Sequence, residues 1–370
     1  MKLIAKFFTL IIFSFTLAAC SQTSLNSSSN KQNDSNQQLA GVIQLHQACY
    51  ENSSPFNKEE VGGNNAQLPD LSAETLAKNH QQLSKIYQQL MAIDNPSLNK
   101  KNKINYAVLA YSIKNQLDNY SNKEYLMPLT AESGFHVWIS SISRQINFKT
   151  TADYQDYLSR LRALPRYFDQ QMAWMEQGIS LGITQPKVVL KGFEQSIAAY
   201  IKKDVTQSGY YKPFAKMSAF ITKEQQQAFQ QEAKKILQHQ VMPTYQKYYD
   251  FMVTRYQPNA RENIAASSLP QGKAYYQNRV AHYTTLNMTA AEIHQIGLKE
   301  VKRIRAEMNA IIKQVNFDGS FAQFIAFLRT DEQFYAKTPI GLLKEASFIA
   351  KKMDAKLPSL FKTLPRTPYG

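Results

Sequence analysis

From about residue 41 onward, apolar side chains recur every three or four positions, the spacing of one face of an α-helix. Leu76, Leu83, Ile86, Leu90 and Ile93 predict one helix, and Leu109, Ile113, Leu117 and Tyr120 the next. Leu158, Leu161, Leu164, Phe168, Met172, Met175 and Ile179 continue the period, with Pro165 predicting a kink or a break into two helices. Val189, Phe193, Ile197 and Tyr200 follow, then a long helix from Phe229 to Met252, bent at Pro243. Thr289-Ala290-Ala291-Glu292 is a capping box: the Thr hydroxyl accepts from the Glu292 amide, and the carboxylate reaches back. It opens a helix through Ile293, Ile296, Val301, Ile304, Met308 and Ile311, with Arg303 and Glu307 paired at i, i+4 on the wet face. Asp318-Gly319 marks a turn, Ser320 starts a helix with Phe321, Phe324, Ile325 and Leu328, and a last helix runs from about Ile340 to Ala355. The best strand candidate, His136 to Ile142, reads equally well as a helix. The fold class is therefore all-α, a large irregular multi-helix domain. Glu51 to Asp70 is a loop carrying Gly62-Gly63 and Pro69. No linker signal follows it, so residues 41–370 read as one helical domain.

Composition narrows the class further. In 370 residues, 44% hydrophobic and 19% charged side chains exclude a disordered chain. With 13 Gly and 14 Pro, collagen-like, propeller and sandwich architectures are excluded as well. Two cysteines exclude a disulfide scaffold.

The N-terminus reads as an address. Lys2 and Lys6 precede an apolar stretch, Phe7 to Leu17, that is too short to span a bilayer comfortably. It ends in Leu17-Ala18-Ala19-Cys20, the order of small residues and thiol that a lipoprotein signal peptidase and lipid attachment require. The expectation is a signal peptide over 1–19, a lipid on Cys20, and a polar, flexible tether over 20–40. Several acyl chains on one Cys, at roughly 0.8 kcal/mol per buried CH₂, anchor a protein firmly to a membrane. Ser21, where an Asp would signal inner-membrane retention, favours the outer membrane, facing the periplasm. With Cys20 acylated, Cys49 has no partner and is either a free thiol or a small buried hydrophobe.

Charge changes the picture less. Lys and Arg number 43 against 28 Asp and Glu, a net +15, but no run of five basic residues occurs. Nucleic-acid binding needs a clustered stripe, so nucleic acid is not an expected partner. A basic exterior facing anionic lipid or cell-wall polymer fits better.

Complete catalytic motifs are missing. The histidines are His46, His80, His136, His239, His282 and His294; none is followed by Glu, and no two lie three to five apart, so one helical turn cannot present two to a metal. There is no Gly-x-Ser-x-Gly elbow, no phosphate-binding glycine loop and no Cys-x-x-Cys. No catalytic residue, metal ligand or cofactor is assigned within these residues. Three side chains are substrate-cleft candidates. His294, two residues after the capping box, either points into a cleft or is a half-buried helical histidine. Tyr275 and Tyr276 follow Gly272-Lys273-Ala274 and point to different sides of any element. One of them can pack while the other offers its hydroxyl to a ligand, or both can serve core packing.

Six blocks in order resemble the bacterial family of unknown function numbered 885. They are Phe148–Tyr154 with Tyr157–Leu161; Gln177–Ile179 with Gly182–Val189; Val241–Tyr245 to Tyr256–Arg261; Leu269–Tyr276 continuing to Glu292–Leu298 and Glu300-Val301; Phe317–Phe321 with Phe324 and Phe327–Asp331; and Leu357-Pro358 to Phe361 with Leu364–Gly370. The resemblance covers about residues 45–370. It implies a large helical relative of zinc peptidases, whose His-Glu-x-x-Pro-Gly-His-His signature lies downstream of the Leu-Pro-Arg-x-Pro-Tyr-Gly block. Zinc is expected only with that downstream part, which would supply the metal and the carboxylate that activate water. The expectation is an N-terminal portion of a lipid-anchored, secreted peptidase-like protein, inactive by itself, with a peptide as substrate and a downstream-encoded C-terminal half as partner. The alternative is a non-catalytic envelope lipoprotein that binds peptides or envelope components.

Overall fold

The computed structural model describes residues 31–51, 53 and 67–367. The signal peptide, Cys20, the tether up to residue 30, Gly62-Gly63 and the final Pro368-Tyr369-Gly370 lie outside the described residues. Those described form an all-α protein: no β-strand occurs among them, only two isolated bridges, Leu129 with Gly134 and Pro186 with Arg261. No helix among them is long and apolar enough to cross a membrane.

The first helix differs from the sequence reading. Residues 31–51 (α1) are helical, so the stretch 31–40 is not tether. Ser35, Leu39 and Val42 recur at helical spacing and are buried, and Leu39 is wholly enclosed. Asn36 reinforces the attachment, its Oδ1 accepting from Asn102 Nδ2 at 2.8 Å and from the Asn99 amide at 3.3 Å. Two apolar positions and a small serine, spread through a polar stretch, suffice to dock a helix, although average composition conceals them. α1 packs with α2 (Ala73–Met91) and α3 (Lys100–Ser121) around Leu83, Ile86, Leu90 and Ile113. Cys49 belongs to this core, and burial pushes its thiol above the usual value.

The second core is built on α5 (Thr151–Ser180), opened by a capping box of Thr150 with Asp153. Pro165 does not break it. Leu161, Leu164 and Phe168 are buried on either side of the proline, each contributing roughly 1.5–3 kcal/mol, which offsets the roughly 3 kcal/mol cost of an interior proline. The ambiguous segment resolves as helix α4 (Phe135–Ser140). After the short helices α6 (Phe193–Ala198) and α7 (Lys212–Ala215), the chain enters α8 (Lys223–Ile236) and α9 (Met242–Phe251). These two are joined by a π turn, Leu237–Val241, immediately before Pro243. Widening the turn accommodates the residue that cannot donate, and Thr244 Oγ1 donates to the Gln240 carbonyl at 2.7 Å. α10 (Gly272–Thr284) completes this part of the chain.

The described residues divide into two compact units, with the boundary between Asn287 and Met288, where the sequence reading has one domain. The boundary coincides with local signals: Thr285 ends α10 in the left-handed conformation, and Thr289 caps the next helix. The second unit holds α11 (Ala290–Gln314), α12 (Phe321–Thr330), α13 (Pro339–Asp354) and α14 (Leu357–Leu360). Its capping boxes at Thr289 and Ser320 and the Arg303–Glu307 pair are present as the spacing predicts. Phe317, Phe324, Phe327 and Phe334 form a small aromatic cluster.

Candidate functional site

α10 begins against the backbone of residues 266–268. A Cβ on Gly272 would stand 2.1 Å from the Ala266 carbonyl oxygen, so only glycine allows this approach. The residue before it, Gln271, takes φ 56°, and Lys123, which leads out of α3, takes φ 57°. Both are strained left-handed positions for residues with side chains, costing roughly 1–2 kcal/mol each. Both line one small cavity of about 90 Å³, together with Asn122, Met127, Ile183 and Tyr275. Strain of this kind persists where the surroundings over-determine it, and it concentrates at functional sites.

Tyr275 is half-buried on the first turn of α10 and faces this cavity. Burial raises its phenol above the ordinary value, and the nearby Glu124 carboxylate acts in the same direction. Tyr276 is 46% exposed and points away from that cavity. His294 lies on α11 in the second unit and is exposed rather than half-buried.

The groups around Tyr275 come from positions that sequence spacing does not connect. Arg279, one turn further along α10, is mostly buried; its Nη1 lies 3.2 Å from Glu124 Oε1, and its Nη2 donates to Asn115 Oδ1 at 2.9 Å. Its Nε donates to Asn278 Oδ1 at 3.1 Å, while Asn278 Nδ2 donates to Asp118 Oδ2 at 2.8 Å. Asn122 Nδ2 reaches Asn278 Oδ1 at 3.3 Å, and Lys114 pairs with Asp118. Glu124 sits in a short 3₁₀ turn, Glu124–Leu126, fixed by the fully buried Leu126. Burial pushes its carboxyl above the usual range; Arg279 and His282 pull it back less strongly. Gly178 on α5 lets this turn approach, since a Cβ there would meet the Leu126 carbonyl oxygen at 3.0 Å and that of Ile183 at 2.6 Å.

On the other flank of the network, a groove of about 380 Å³ separates α3 from α10, lined by Tyr87, Tyr111, Asn115, Asp118, Asn278 and His282. The His282 ring stacks on Tyr111, with centroids 5.1 Å apart and planes at 14°, and its Nδ1 is buried without a hydrogen-bond partner. The stacked rings, Asn115 and Asn278 thus line the groove, Asn122 and Tyr275 line the smaller cavity, and the hydrogen bonds of Arg279 and Asn278 link the two.

Three further clusters lie elsewhere in the first unit. His136 is wholly buried among Phe135, Phe193 and Tyr248. Its Nε2 lies 3.0 Å from Ser196 Oγ, which donates to the Phe193 carbonyl at 2.6 Å. The hydroxyl proton is thus committed, and burial lowers the imidazole to about 4, so the pair is a neutral core contact and not a nucleophile with its base. A roomier cavity of about 760 Å³ lies between the Lys187–Glu194 segment and the second π turn, Met252–Tyr256. Its polar groups pair with one another, Lys187 with Glu262 and Gln257 with Glu194. His46, Cys49 and His80 line a cavity of about 150 Å³. Among the described residues no three His, Cys, Asp or Glu side chains converge closely enough to hold a metal ion.

Residues 55–370 match the family described as bacterial protein of unknown function (DUF885). The chain belongs to this family. No curated protein matches it. A solved structure with a similar fold is that of "the putative lipoprotein from Colwellia psychrerythraea", with a TM-score of 0.78 and 19% sequence identity. The similarity covers 90% of this chain and 61% of the Colwellia protein, so this DUF885 chain spans about three fifths of that protein's length. At that identity the likeness is one of fold.

Proposed function

We propose that this DUF885 chain is an exported, lipid-anchored envelope protein that contributes the peptide-holding part of a peptidase-like protein, with the cleft between α3 and α10 as the substrate site. The observation that carries the reading is one hydrogen-bonded network, Arg279 with Glu124, Asn115 and Asn278, and Asn278 with Asn122, that connects the groove lined by Asn115 and Asn278 to the small cavity lined by Asn122 and Tyr275. Carboxamides donate and accept at once, which matches the alternating N–H and C=O groups of an extended peptide. Arg279, held by Asn115 and Asn278, offers a fixed guanidinium to a carbonyl or a terminal carboxylate. Glu124, its carboxyl raised by burial, holds Arg279 in place at 3.2 Å. Tyr275 supplies a hydroxyl at the narrow end. Export and anchoring are supported by the Lys2–Cys20 leader and by the description of the Colwellia protein. Hydrolysis in this reading requires groups beyond those described here.

A photoreactive peptide tests the site. Crosslinks to residues 111–126 and 272–282 are expected; crosslinks confined to other segments would remove the assignment. Metabolic labelling with a radioactive fatty acid, lost in Cys20→Ala, tests the anchor.

A further inference from the structure

The cavity of about 760 Å³ beside the second π turn belongs to the first unit and shares no lining residue with the α3–α10 groove or the small cavity at Tyr275. Its size falls within the roughly 300–1,000 Å³ of small-molecule sites. Val188, Leu190, Val253 and Pro258 form its apolar wall, and Val188 and Val253 are exposed. The frame around it is fixed. Met252–Tyr256 widens into a π turn two residues ahead of Pro258, the spacing at which the first π turn precedes Pro243. That turn is anchored by Arg255 on the Glu176 carboxylate and by Tyr256 Oη, which accepts from the Gln185 amide at 3.2 Å. The facing segment is anchored by the Lys187 amide, which donates to the Arg261 carbonyl at 2.8 Å. Gln257 spans the two, its Nε2 donating to the Leu190 carbonyl at 3.1 Å and to Glu194 Oε2 at 2.9 Å. A cavity held open in this way accepts a ligand without the cost of ordering its walls.

Two opposite charges in the lining are not neutralised. Lys187 and Glu262 compensate each other. Lys191 has no ion partner among the described residues, and Glu194 has the neutral Gln257 carboxamide and no cation. Lys191 and Glu194 do not pair with each other, although three positions apart. Gln257 Oε1 accepts from no described group, because both bonds of this side chain run from Nε2. An apolar cavity with one uncompensated ammonium and one uncompensated carboxylate is complementary to a ligand that is apolar in its body and oppositely charged at its two ends. A single amino acid carries both charges on one carbon, whereas Lys191 and Glu194 stand too far apart to meet. That spacing suits charges separated by a peptide bond. We propose that this cavity binds a short apolar peptide by its free termini. The carboxylate pairs with Lys191, the ammonium donates to Glu194 and Gln257 Oε1, and the side chains lie against Val188, Leu190 and Val253. The proposal goes beyond the α3–α10 cleft and does not depend on it.

Isothermal titration of the intact protein with the dipeptide leucylleucine tests this, and one saturable site per chain is expected. Acetylating the amine or amidating the carboxyl is expected to weaken binding by about tenfold each, the loss of one charge-assisted hydrogen bond. Glu194→Gln retains an acceptor for Gln257 and removes only the charge. It is expected to weaken leucylleucine by about tenfold and to leave the acetylated form unaffected. Lys191→Gln, at an exposed position, is expected to weaken leucylleucine equally and to leave the amidated form unaffected. Methyl NMR signals of Val188, Leu190 and Val253 are expected to shift on binding, and those of Ala110 and Ala281 in the α3–α10 groove to stay in place. No saturable binding, equal affinity for the blocked forms, unchanged affinity in both charge variants, or tighter binding of decanoate would overturn the proposal. Shifts confined to Ala110 and Ala281 would overturn it and leave the α3–α10 cleft as the peptide site.

Discussion

Gly272 and its neighbour Gln271 set the entry of α10, and each makes a prediction. Gly272→Ala forces a methyl group onto the Ala266 carbonyl, an overpacking that should cost about 1–3 kcal/mol and lower the urea midpoint without changing the m-value. Gln271→Gly relieves a left-handed side chain and should raise stability by up to about 1 kcal/mol in the same assay, because relieved strain outweighs the added freedom of the unfolded chain. His136 makes a prediction in pH. Its unfolded imidazole titrates near 6.5 and its folded one near 4. Above 6.5 both states are neutral and stability is complete. Between the two values the unfolded chain binds a proton that the folded protein refuses, so stability falls as the pH drops, by about 3 kcal/mol in all. Urea midpoints measured from pH 7.5 to 4 should show this slope, and it should flatten in His136→Gln. An equally steep loss in the variant would assign the slope to other groups. The Gly272–Tyr276 block singles out Tyr275 and Tyr276 alike, and the structure places Tyr275 at the small cavity. Tyr276 and His294 share its sequence block, but the block says nothing about which side of each helix meets a cleft.

At the scale of elements, the 3.6 period carried most of the fold, because burial on one face is what stabilises these helices. The capping box at Thr289 and the helix start at Ser320 were legible from local spacing, and the structure adds a third box at Thr150. Thr150→Ala should cost about 1 kcal/mol of global stability, measured by chemical denaturation, since α5 runs through the main core. Where the sequence reading differed from the structure, tertiary contacts decided. Pro165 is held inside α5 by buried neighbours on both sides, and the bend expected at Pro243 takes the form of a π turn. Residues 31–40 joined α1 because Ser35, Leu39 and Val42 found a partner helix pair. The polar network of the cleft was not legible. Asp118 and Asn278 are separated by 160 positions, and no periodicity in either helix announces that the two wet faces meet. The signal available was local: asparagines at 115, 119 and 122 on α3 and the Asn278-Arg279 pair on α10 are unusual on helix faces that would otherwise carry charge.

For the whole molecule, the two units differ in kind. Residues up to Asn287 enclose two hydrophobic cores and a preorganised cleft, whereas residues from Met288 onward display their apolar faces. A single helical domain was the natural expectation from the unbroken 3.6 period, because the period reports which face is apolar and not what covers it. Family membership and the fold of the Colwellia protein agree with the architecture, while the function rests on the cleft. Its most direct test is fluorescence anisotropy of labelled, unstructured ten-residue peptides titrated with the intact protein, with Tyr275→Ala and with Tyr276→Ala. Saturable binding that weakens about tenfold or more in Tyr275→Ala and is unchanged in Tyr276→Ala is the predicted result. Peptides that fail to bind the intact protein, or that bind all three proteins equally, would contradict the assignment of the α3–α10 cleft as the substrate site.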